Sequence, residues 1–270
     1  MSAPFRVCST AGLSLAVCAL LGCGSGAKAL PVQTTRSPPA ALSGGPPTHI
    51  AVIVMENHEY GDIIGSSSAP YINGLARRFG LARAMYAITH PSLPNYLALT
   101  GGSTFGRTDD CTGCTVGATS IADQLARAGI SWRAYMDGMP SPCYTGASAG
   151  EYAKKHDPFV YYTRLTTNRM ACANSVVPLP RLAVDERAGS LPRFVWITPN
   201  LCHDMHDCSV ARGDRFLAGV VSQLLPALGS NGCCFSPGTR VRATRAAAAR
   251  PPAATSPRSS PDRGPSAVLG

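Results

Sequence analysis

The stretch HIAVIVMEN, residues 49–57, decides the fold of this chain. Its β-branched and apolar run over residues 49–55 predicts a strand that is buried on both faces, as in a parallel sheet. Glu56 and Asn57 follow directly, at the carboxyl end of that strand. Open α/β sheets bind their ligands at this edge, so both side chains are candidate site residues.

Strand and helix patterns alternate along the rest of the chain. Strands are predicted over residues 81–87, 131–136 and 193–198, and helices over residues 70–79, from about Pro94, from Ser120 to Ala128, and over residues 214–228. This β-α-β-α order predicts an α/β fold with a largely parallel sheet.

Two further segments place polar groups after strand-like runs. THPSLPNY, residues 89–96, puts Ser92 near a helix start, where free backbone N–H groups and the positive dipole end favour an anion such as phosphate. TPNLCHDMHDC, residues 198–208, holds two His and two Asp within five residues. The alternatives are a turn that caps a helix at Ser92 and a solvated polar loop at residues 203–207.

These residues suggest a phosphoryl chemistry based on a divalent metal ion. Glu56 and Asn57 offer oxygen ligands to such an ion. An ion that also contacts Ser92 would lower the pKa of its hydroxyl group and make it a nucleophile. Glu56 alone after a strand would more often be an ordinary loop carboxylate.

Three other side chains are candidates for proton transfer and substrate contact. His206 and His156 would protonate the leaving oxygen or hold the phosphate. Asp204 would orient one of these histidines or approach the metal. His156, in the segment KKHDPF, is equally compatible with a surface loop.

The N-terminal residues are predicted to be an export signal over residues 1–29. Arg6 precedes an apolar stretch, residues 11–21, which is short for a membrane span and typical of a secretory signal. Leu-Leu-Gly-Cys at residues 20–23 resembles a lipobox, which would lipidate Cys23 and attach the protein to a membrane. Ala-Lys-Ala at residues 27–29 offers an ordinary cleavage site instead, and a buried N-terminal helix is a weaker alternative. A Pro-rich linker over residues 30–47 follows.

The cysteines agree with a secreted or cell-envelope protein. Six of them lie between the predicted signal and residue 232, and an even number favours disulfides. Cys111 and Cys114 form a CxxC motif, but a redox site lacks the expected strand-to-helix setting and a zinc site lacks a second clear pair. Proximity favours the pairs Cys111 with Cys114 and Cys202 with Cys208.

The net charge of +9 does not predict nucleic-acid binding. The residues from Cys233 onward carry six Arg and one Asp, and with the signal region also removed the body retains only +2. A net charge this small does not indicate a basic surface that binds nucleic acid.

The chain resembles the exported phosphoesterase family of bacterial and fungal acid phosphatases and phosphatidylcholine-type phospholipases C, within the alkaline-phosphatase-like superfamily. The resemblance covers residues 49–232 and rests on MEN at 55–57, HPSLPNY at 90–96, KHDPFVYY at 155–162 and TPNLCHDMHDC at 198–208. It implies a three-layer α/β/α phosphoesterase domain over residues 48–232. It also implies that Ser92 is the nucleophile, that Glu56 and Asn57 bind the metal, and that His156 and His206 contact the phosphoryl group. Asp204 matches a recurring position of unassigned role.

The chain departs from the family after Gly232, where members continue with a strand and a TWDEG-like motif that completes the metal site. One set of codons for residues 232–241 gives GVLFLTWDEG when a single G is inserted after the first codon. We therefore expect a frameshift, with the C-terminal part of the domain missing. Residues 233–270 are predicted to be a disordered basic tail read out of frame. A genuine tail that binds anionic polymers is the alternative.

The sequence thus predicts an exported, metal-dependent hydrolase of small phosphate esters that resembles an acid phosphatase, with activity impaired in this form. The alternatives are a phospholipase C-type phosphodiesterase acting on phospholipids and a noncatalytic surface lipoprotein.

Overall fold

A computed structural model describes residues 47–83, 85–230 and 232–236 of the chain. The strands are β1 (Ile50–Ile53), β2 (Trp132–Met136), β3 (Ser148–Ala149), β4 (Tyr152–Ala153), β5 (Val176–Pro178), β6 (Phe194–Thr198) and β7 (Cys233–Phe235). The α-helices are α1 (Tyr60–Ile63), α2 (Pro70–Arg78), α3 (Ser92–Gly101), α4 (Ile121–Arg127), α5 (Thr163–Thr166), α6 (Arg169–Ser175), α7 (Arg181–Arg187) and α8 (Val210–Leu228). Two 3₁₀ turns span Lys154–His156 and Pro158–Tyr161.

Within these residues the centre of the fold is a five-stranded sheet in the order β5-β2-β6-β1-β7. Each neighbouring pair in it runs parallel. Strand β6 is buried at every position, as its continuous apolar sequence predicts. The predicted parallel sheet is therefore confirmed, with β1, β2 and β6 inside their predicted ranges.

The sheet carries packed side chains on both faces. Phe194 and Trp196 join the core cluster that contains residues of α3, whereas Val195 and Ile197 join the cluster that contains residues of α8. Successive residues of a strand point to opposite faces, so the fully apolar sequence of β6 supplies both clusters at once. Helices thus cover both sides of the sheet, which confirms the predicted α/β/α layering.

Four helices confirm the sequence patterns that predicted them. Helix α2 begins at Pro70, and α8 extends the predicted helix to Val210. Helix α4 begins with a capping box in which Ser120 and Asp123 exchange side-chain and backbone hydrogen bonds. Ser92 is the first residue of α3, two residues before the predicted start.

The predicted strand over residues 81–87 is wrong. Residues 81–83 and 85–87 form neither strand nor helix, and Leu81, Met85 and Tyr86 are exposed. An apolar, strand-like segment adopts strand geometry only where a neighbouring strand accepts its hydrogen bonds, and within the described part of the chain none does here.

The prediction that the disordered tail begins at Cys233 is also wrong, because its first three residues form a strand. Strand β7 lies beyond Gly232, and Cys233 is paired with Ile50 at the edge of the sheet. The disorder was predicted from the composition of residues 239–266, whereas residues 233–235 are apolar and extend the sheet beside β1. Residues 237–270, the predicted signal with Cys23 and the linker up to residue 46 lie outside the described residues. In the ranges that are described, no helix combines the length and apolar character needed to cross a bilayer.

Three disulfides join the six cysteines of the body. Cys111–Cys114 and Cys202–Cys208 confirm the pairs favoured by proximity. The third bond, Cys143–Cys172, joins the loop after β2 to α6. Because both segments lie beside β5, with Cys143 N–H donating to Val176 O at 2.9 Å, this disulfide holds one side of the sheet to its covering helix.

Candidate functional site

The predicted site residues gather at the carboxyl edge of the parallel sheet. Glu56 and Asn57 follow β1, and the 199–208 loop follows β6. Strands β1 and β6 are hydrogen-bonded neighbours, so these two segments lie side by side. The Glu56 N–H donates to the Asp204 carbonyl oxygen at 2.8 Å, which joins the segments directly.

His156 lies between two buried carboxylates. Its Nε2 is 3.4 Å from Glu56 Oε1, and its Nδ1 is 3.0 Å from Asp204 Oδ2. All three side chains are at most 3% exposed. The imidazole ring also stacks on Tyr96 of α3, with centroids 5.1 Å apart. His156 is therefore a buried member of the site rather than a surface loop residue.

The polar atoms of this group are not fully satisfied by protein partners. Glu56 Oε1, Asp204 Oδ2 and both ring nitrogens of His156 are buried without an aligned hydrogen bond, and so is the Tyr96 hydroxyl. Buried polar atoms without partners are costly and are found where a ligand or a proton is handled. Tyr96, which the sequence did not single out, belongs to this group because its hydroxyl lies beside Glu56 and Asp204.

Burial shifts the proton affinities of the group in opposite directions. Desolvation lowers the pKa of His156 to about 4, even though the Glu56 carboxylate acts to raise it. Desolvation raises the pKa of Asp204 to about 7, against the hydrogen bond from the His206 N–H. Burial therefore favours the neutral form of both side chains.

The 199–208 loop presents Asp204 and His206 through its own hydrogen bonds. Asn200 Oδ1 accepts from the N–H groups of Cys202 and His203, which starts the turn. Asp204 Oδ1 accepts from His206 N–H at 2.7 Å. The Cys202–Cys208 disulfide closes the loop around both residues. Dense short-range bonding explains why this segment has so many polar residues.

His206 and His203 have different surroundings. His206 Nδ1 is 2.6 Å from Asp207 Oδ1 and its Nε2 is 3.3 Å from Lys155 Nζ, with the side chain 24% exposed. His203 instead pairs with Asp137 at 2.6 Å and stacks on Phe216. Of the two loop histidines, His206 lies beside His156, with ring centroids 5.5 Å apart.

The start of α3 differs from the prediction of free backbone donors. Ser92 is its first residue and is 9% exposed. The next N–H, of Leu93, already donates to Asp110 Oδ1 at 2.9 Å. Pro94 follows and has no N–H to offer. The helix start beside Ser92 is therefore largely occupied by a carboxylate of the protein itself.

The predicted metal ligands Glu56, Asn57 and Ser92 do not make a complete ion site. The Asn57 side-chain amide donates to the His206 carbonyl oxygen at 3.4 Å, which turns its nitrogen toward the protein. Across the described residues, no group of three or more His, Cys, Asp and Glu side chains is arranged to hold a metal ion. Glu56 Oε1 is a buried oxygen without an aligned partner, but one such oxygen is too few for a stable site.

Comparison with known proteins adds a family and several relatives. The model of the phosphoesterase family matches residues 66–228. The chain is 37% identical over 170 residues to a phosphatidylinositol-3-phosphatase of Mycobacterium tuberculosis, which covers 63% of this chain and 55% of that protein. It is 30% identical over 179 residues to an acid phosphatase of Aspergillus fumigatus, which covers 63% of this chain and 39% of that protein. A probable acid phosphatase of Kluyveromyces lactis is 29% identical over 182 residues, or 42% of its length. The chain thus spans about half or less of the curated relatives it matches.

Proposed function

This chain belongs to the phosphoesterase family, and on that premise we propose that it is an exported hydrolase of phosphate esters with Ser92 as its nucleophile. The observation that supports the proposal is the buried Glu56–His156–Asp204 group, with the His206 ring beside His156 and with His156 stacked on Tyr96 of α3, the helix that Ser92 begins. Export is supported by the three disulfides of the body, since such bonds persist in oxidising compartments.

The proposed reaction has two displacements at phosphorus. Ser92 Oγ attacks the phosphorus atom and loses its proton to solvent, the bond from phosphorus to the ester oxygen breaks, and that oxygen takes a proton from His206 as the alcohol leaves. Water then attacks the phosphoserine and releases inorganic phosphate and free Ser92. His206 is the proposed proton donor to the leaving oxygen because its side chain is partly exposed, whereas His156 is buried.

The proposal includes a divalent metal ion, but this ion would need ligands besides Glu56, Asn57 and Ser92. When bound, such an ion would polarise the phosphoryl oxygens and lower the pKa of the nucleophile. We assign no step to it. Because the resemblance places the missing ligands after Gly232, we expect weak hydrolysis by the 270-residue chain and stronger hydrolysis by a chain with the frame restored.

Turnover of p-nitrophenyl phosphate tests the proposal. We expect Ser92→Ala to lower kcat at least about a thousandfold in the frame-restored chain, as loss of a nucleophile does. Ser67→Ala, at an exposed serine before α2, is the matched control and should leave kcat unchanged. Equal turnover by Ser92→Ala would reject the nucleophile, and no turnover of any phosphate ester would favour a noncatalytic surface lipoprotein. Full turnover by the 270-residue chain would contradict the expected impairment.

The substrate class follows from the relatives only as a proposal. Small phosphate monoesters are the first choice because four of the relatives have names that include acid phosphatase. Phosphatidylinositol 3-phosphate is the second choice because of the mycobacterial relative. The ratio of kcat/KM for p-nitrophenyl phosphate and for a short-chain soluble phosphatidylinositol 3-phosphate separates the two.

A further inference from the structure

The site needs a cation for a phosphate ester, and the start of α3 does not supply one. A phosphate monoester carries up to about two negative charges near neutral pH. The carboxyl groups of Glu56, Asp110 and Asp204 all belong to the same site. Since Asp110 already takes the Leu93 N–H, a phosphoryl group beside Ser92 must be neutralised by a side chain or by an ion.

Lys155 is placed to meet this need. Its Nζ is 3.2 Å from Asp110 Oδ2, and the other oxygen of the same carboxylate is 2.9 Å from Leu93 N. The ammonium group therefore lies one carboxylate width from the start of the helix that bears Ser92. The same Nζ is 3.3 Å from His206 Nε2.

Lys155 has a hydrogen-bond donor left for a ligand. An ammonium group has three N–H donors, of which Asp110 takes one, and His206 Nε2 takes a second when that nitrogen carries no proton. The side chain is 23% exposed, so a soluble ligand can reach the third. The charge of Lys155 also acts on the proton equilibria of His156 and Asp204, which places it close to the buried group.

The preceding lysine shows the contrast. Lys154 is 6% exposed, donates to the Thr112 carbonyl oxygen at 2.6 Å and lies over the Tyr161 ring at 4.7 Å. The Lys154 ammonium group therefore stabilises the 107–116 loop through Thr112. Lys155 Nζ instead contacts Asp110 and His206.

We propose that Lys155 binds the phosphoryl oxygens of the substrate, and that Asp110 is a positioning residue that fixes both Lys155 and the start of α3. The substrate class rests on the proposed function. The Asp110 carboxylate orders the ammonium group through Oδ2 and the helix that carries the nucleophile through Oδ1. The Asp110 side chain thus sets the distance between the nucleophile Ser92 and the Lys155 ammonium group that binds the phosphoryl group.

Binding of inorganic phosphate, measured by isothermal titration calorimetry on the 270-residue chain, tests this without any turnover. We expect Lys155→Met to weaken binding at least about tenfold, as loss of a charge-assisted hydrogen bond does. Lys155→Arg should retain most of the affinity because it keeps the charge. Asp110→Asn should weaken binding several-fold, whereas Asp109→Asn, at the neighbouring carboxylate that accepts from Cys111 N–H, should not. Thermal midpoints measured in parallel identify any variant that fails to fold.

Each other outcome overturns the inference. Equal phosphate affinity in Lys155→Met and the unsubstituted chain would remove Lys155 from the binding site, as would the absence of phosphate binding by the unsubstituted chain. Tighter binding by Asp110→Asn would show that the carboxylate competes with phosphate instead of positioning Lys155. Failure of the proposed function looks different: turnover would be insensitive to Ser92→Ala while phosphate binding still depends on Lys155.

Discussion

His156 is the side chain at which the segment after β1 and the loop after β6 meet. Its pKa is lowered to about 4 by burial, and burial raises the pKa of Asp204 to about 7. In the unfolded chain an imidazole holds a proton up to about pH 6.5 and an aspartate loses its proton near about 3.9. Folding therefore lowers the proton affinity of His156 and raises that of Asp204. The two changes oppose each other in the pH dependence of the unfolding free energy, because one favours release and the other uptake of a proton on folding.

Asp157 has no such compensation, and it gives a pH-dependent prediction. It is fully buried, Tyr152 donates to its Oδ2 at 3.1 Å, and burial raises its pKa to about 7. The folded state then binds one more proton than the unfolded state between about pH 4 and 7, so stability falls as the pH rises through that window. We expect Asp157→Asn to remove up to about 1.4 kcal/mol per pH unit of this decline.

Urea unfolding at pH 4.5, 5.5 and 6.5 checks the Asp157 prediction, since about this range covers most of the window. Asp109→Asn, at an exposed carboxylate, is the control and should keep the slope of the unsubstituted chain. Parallel curves for Asp157→Asn and the unsubstituted chain would show that the buried carboxyl group does not take up a proton on folding.

The site residues that sequence reasoning reached are those with a dense local pattern or a motif. Asp204 and His206 stand out in a crowded segment, and Glu56 follows an unmistakable strand. Asp110 carries no such signal, and Lys155 lies in the KHDPFVYY motif but received no role from it. Asp110 lies 17 residues from the Leu93 N–H that it binds, and only the folded chain brings Lys155 to it. His156, ambiguous by spacing, became a site residue through its burial.

Among the strands, the length of the apolar segment and the presence of a neighbouring strand decided whether the sequence prediction was correct. Strand β6 is long and wholly apolar, so its identity was plain from the residues. The sequence does not predict strand β5, because the strand has only three residues and ends in a proline, which donates no ladder hydrogen bond. Its pairing with β2 becomes visible only in the folded sheet. The opposite error arose at residues 81–87, where propensity favoured a strand and the described chain supplies no partner.

The Cys143–Cys172 disulfide gives a prediction at this scale. It closes a loop with a sequence separation of 29, against 6 for Cys202–Cys208. A longer closed loop removes more entropy from the unfolded chain. We expect the double change Cys143→Ser and Cys172→Ser to lower the unfolding free energy by about 3 to 4 kcal/mol, and more than the double change Cys202→Ser and Cys208→Ser.

Guanidinium unfolding of the two double variants under non-reducing conditions measures this difference. The fold should survive the loss of Cys202–Cys208, because the sheet and both core clusters do not depend on that bond. A larger loss of stability from Cys202–Cys208 than from Cys143–Cys172 would contradict the loop-length argument and point to a structural role of the 199–208 loop.

The molecule as a whole is a parallel sheet covered on both faces, with its polar groups collected at one edge. This architecture followed from the alternation of strand and helix patterns, and the location of the site followed from the ends of the strands. Completeness of the site is a separate matter. The described residues include the proposed nucleophile Ser92 and the proposed phosphate-binding Lys155, but no group of three or more His, Cys, Asp and Glu side chains that is arranged to hold a metal ion.

We therefore predict that the 270-residue chain gains no stability from divalent metal ions. A ligand that binds only the folded state stabilises it by RT ln(1 + [L]/Kd), so a chain without a complete site has a constant thermal midpoint. Differential scanning fluorimetry with Zn²⁺, Mn²⁺ or Mg²⁺, and with a chelator, should show shifts below about 1 °C. A frame-restored chain should show a saturable rise, and a saturable rise in the 270-residue chain would contradict the prediction.

The frame itself is testable in DNA. Sequencing the genomic codons for residues 231–241 should reveal one additional base if the written chain carries a sequencing error. Confirmation of the present frame would instead mean that the encoded chain departs from the family at Gly232, and that its activity must be measured without the TWDEG-like segment.

The closed loop between Cys202 and Cys208 has a practical consequence for anyone who prepares this protein. Asp204 and His206 lie inside the ring that the disulfide makes. Production in a reducing bacterial cytosol would leave this ring open together with the other disulfides, because glutathione keeps such thiols reduced. Specific activity would then vary from batch to batch with the fraction of oxidised molecules. Thiol titration of each preparation belongs beside every rate constant reported for it.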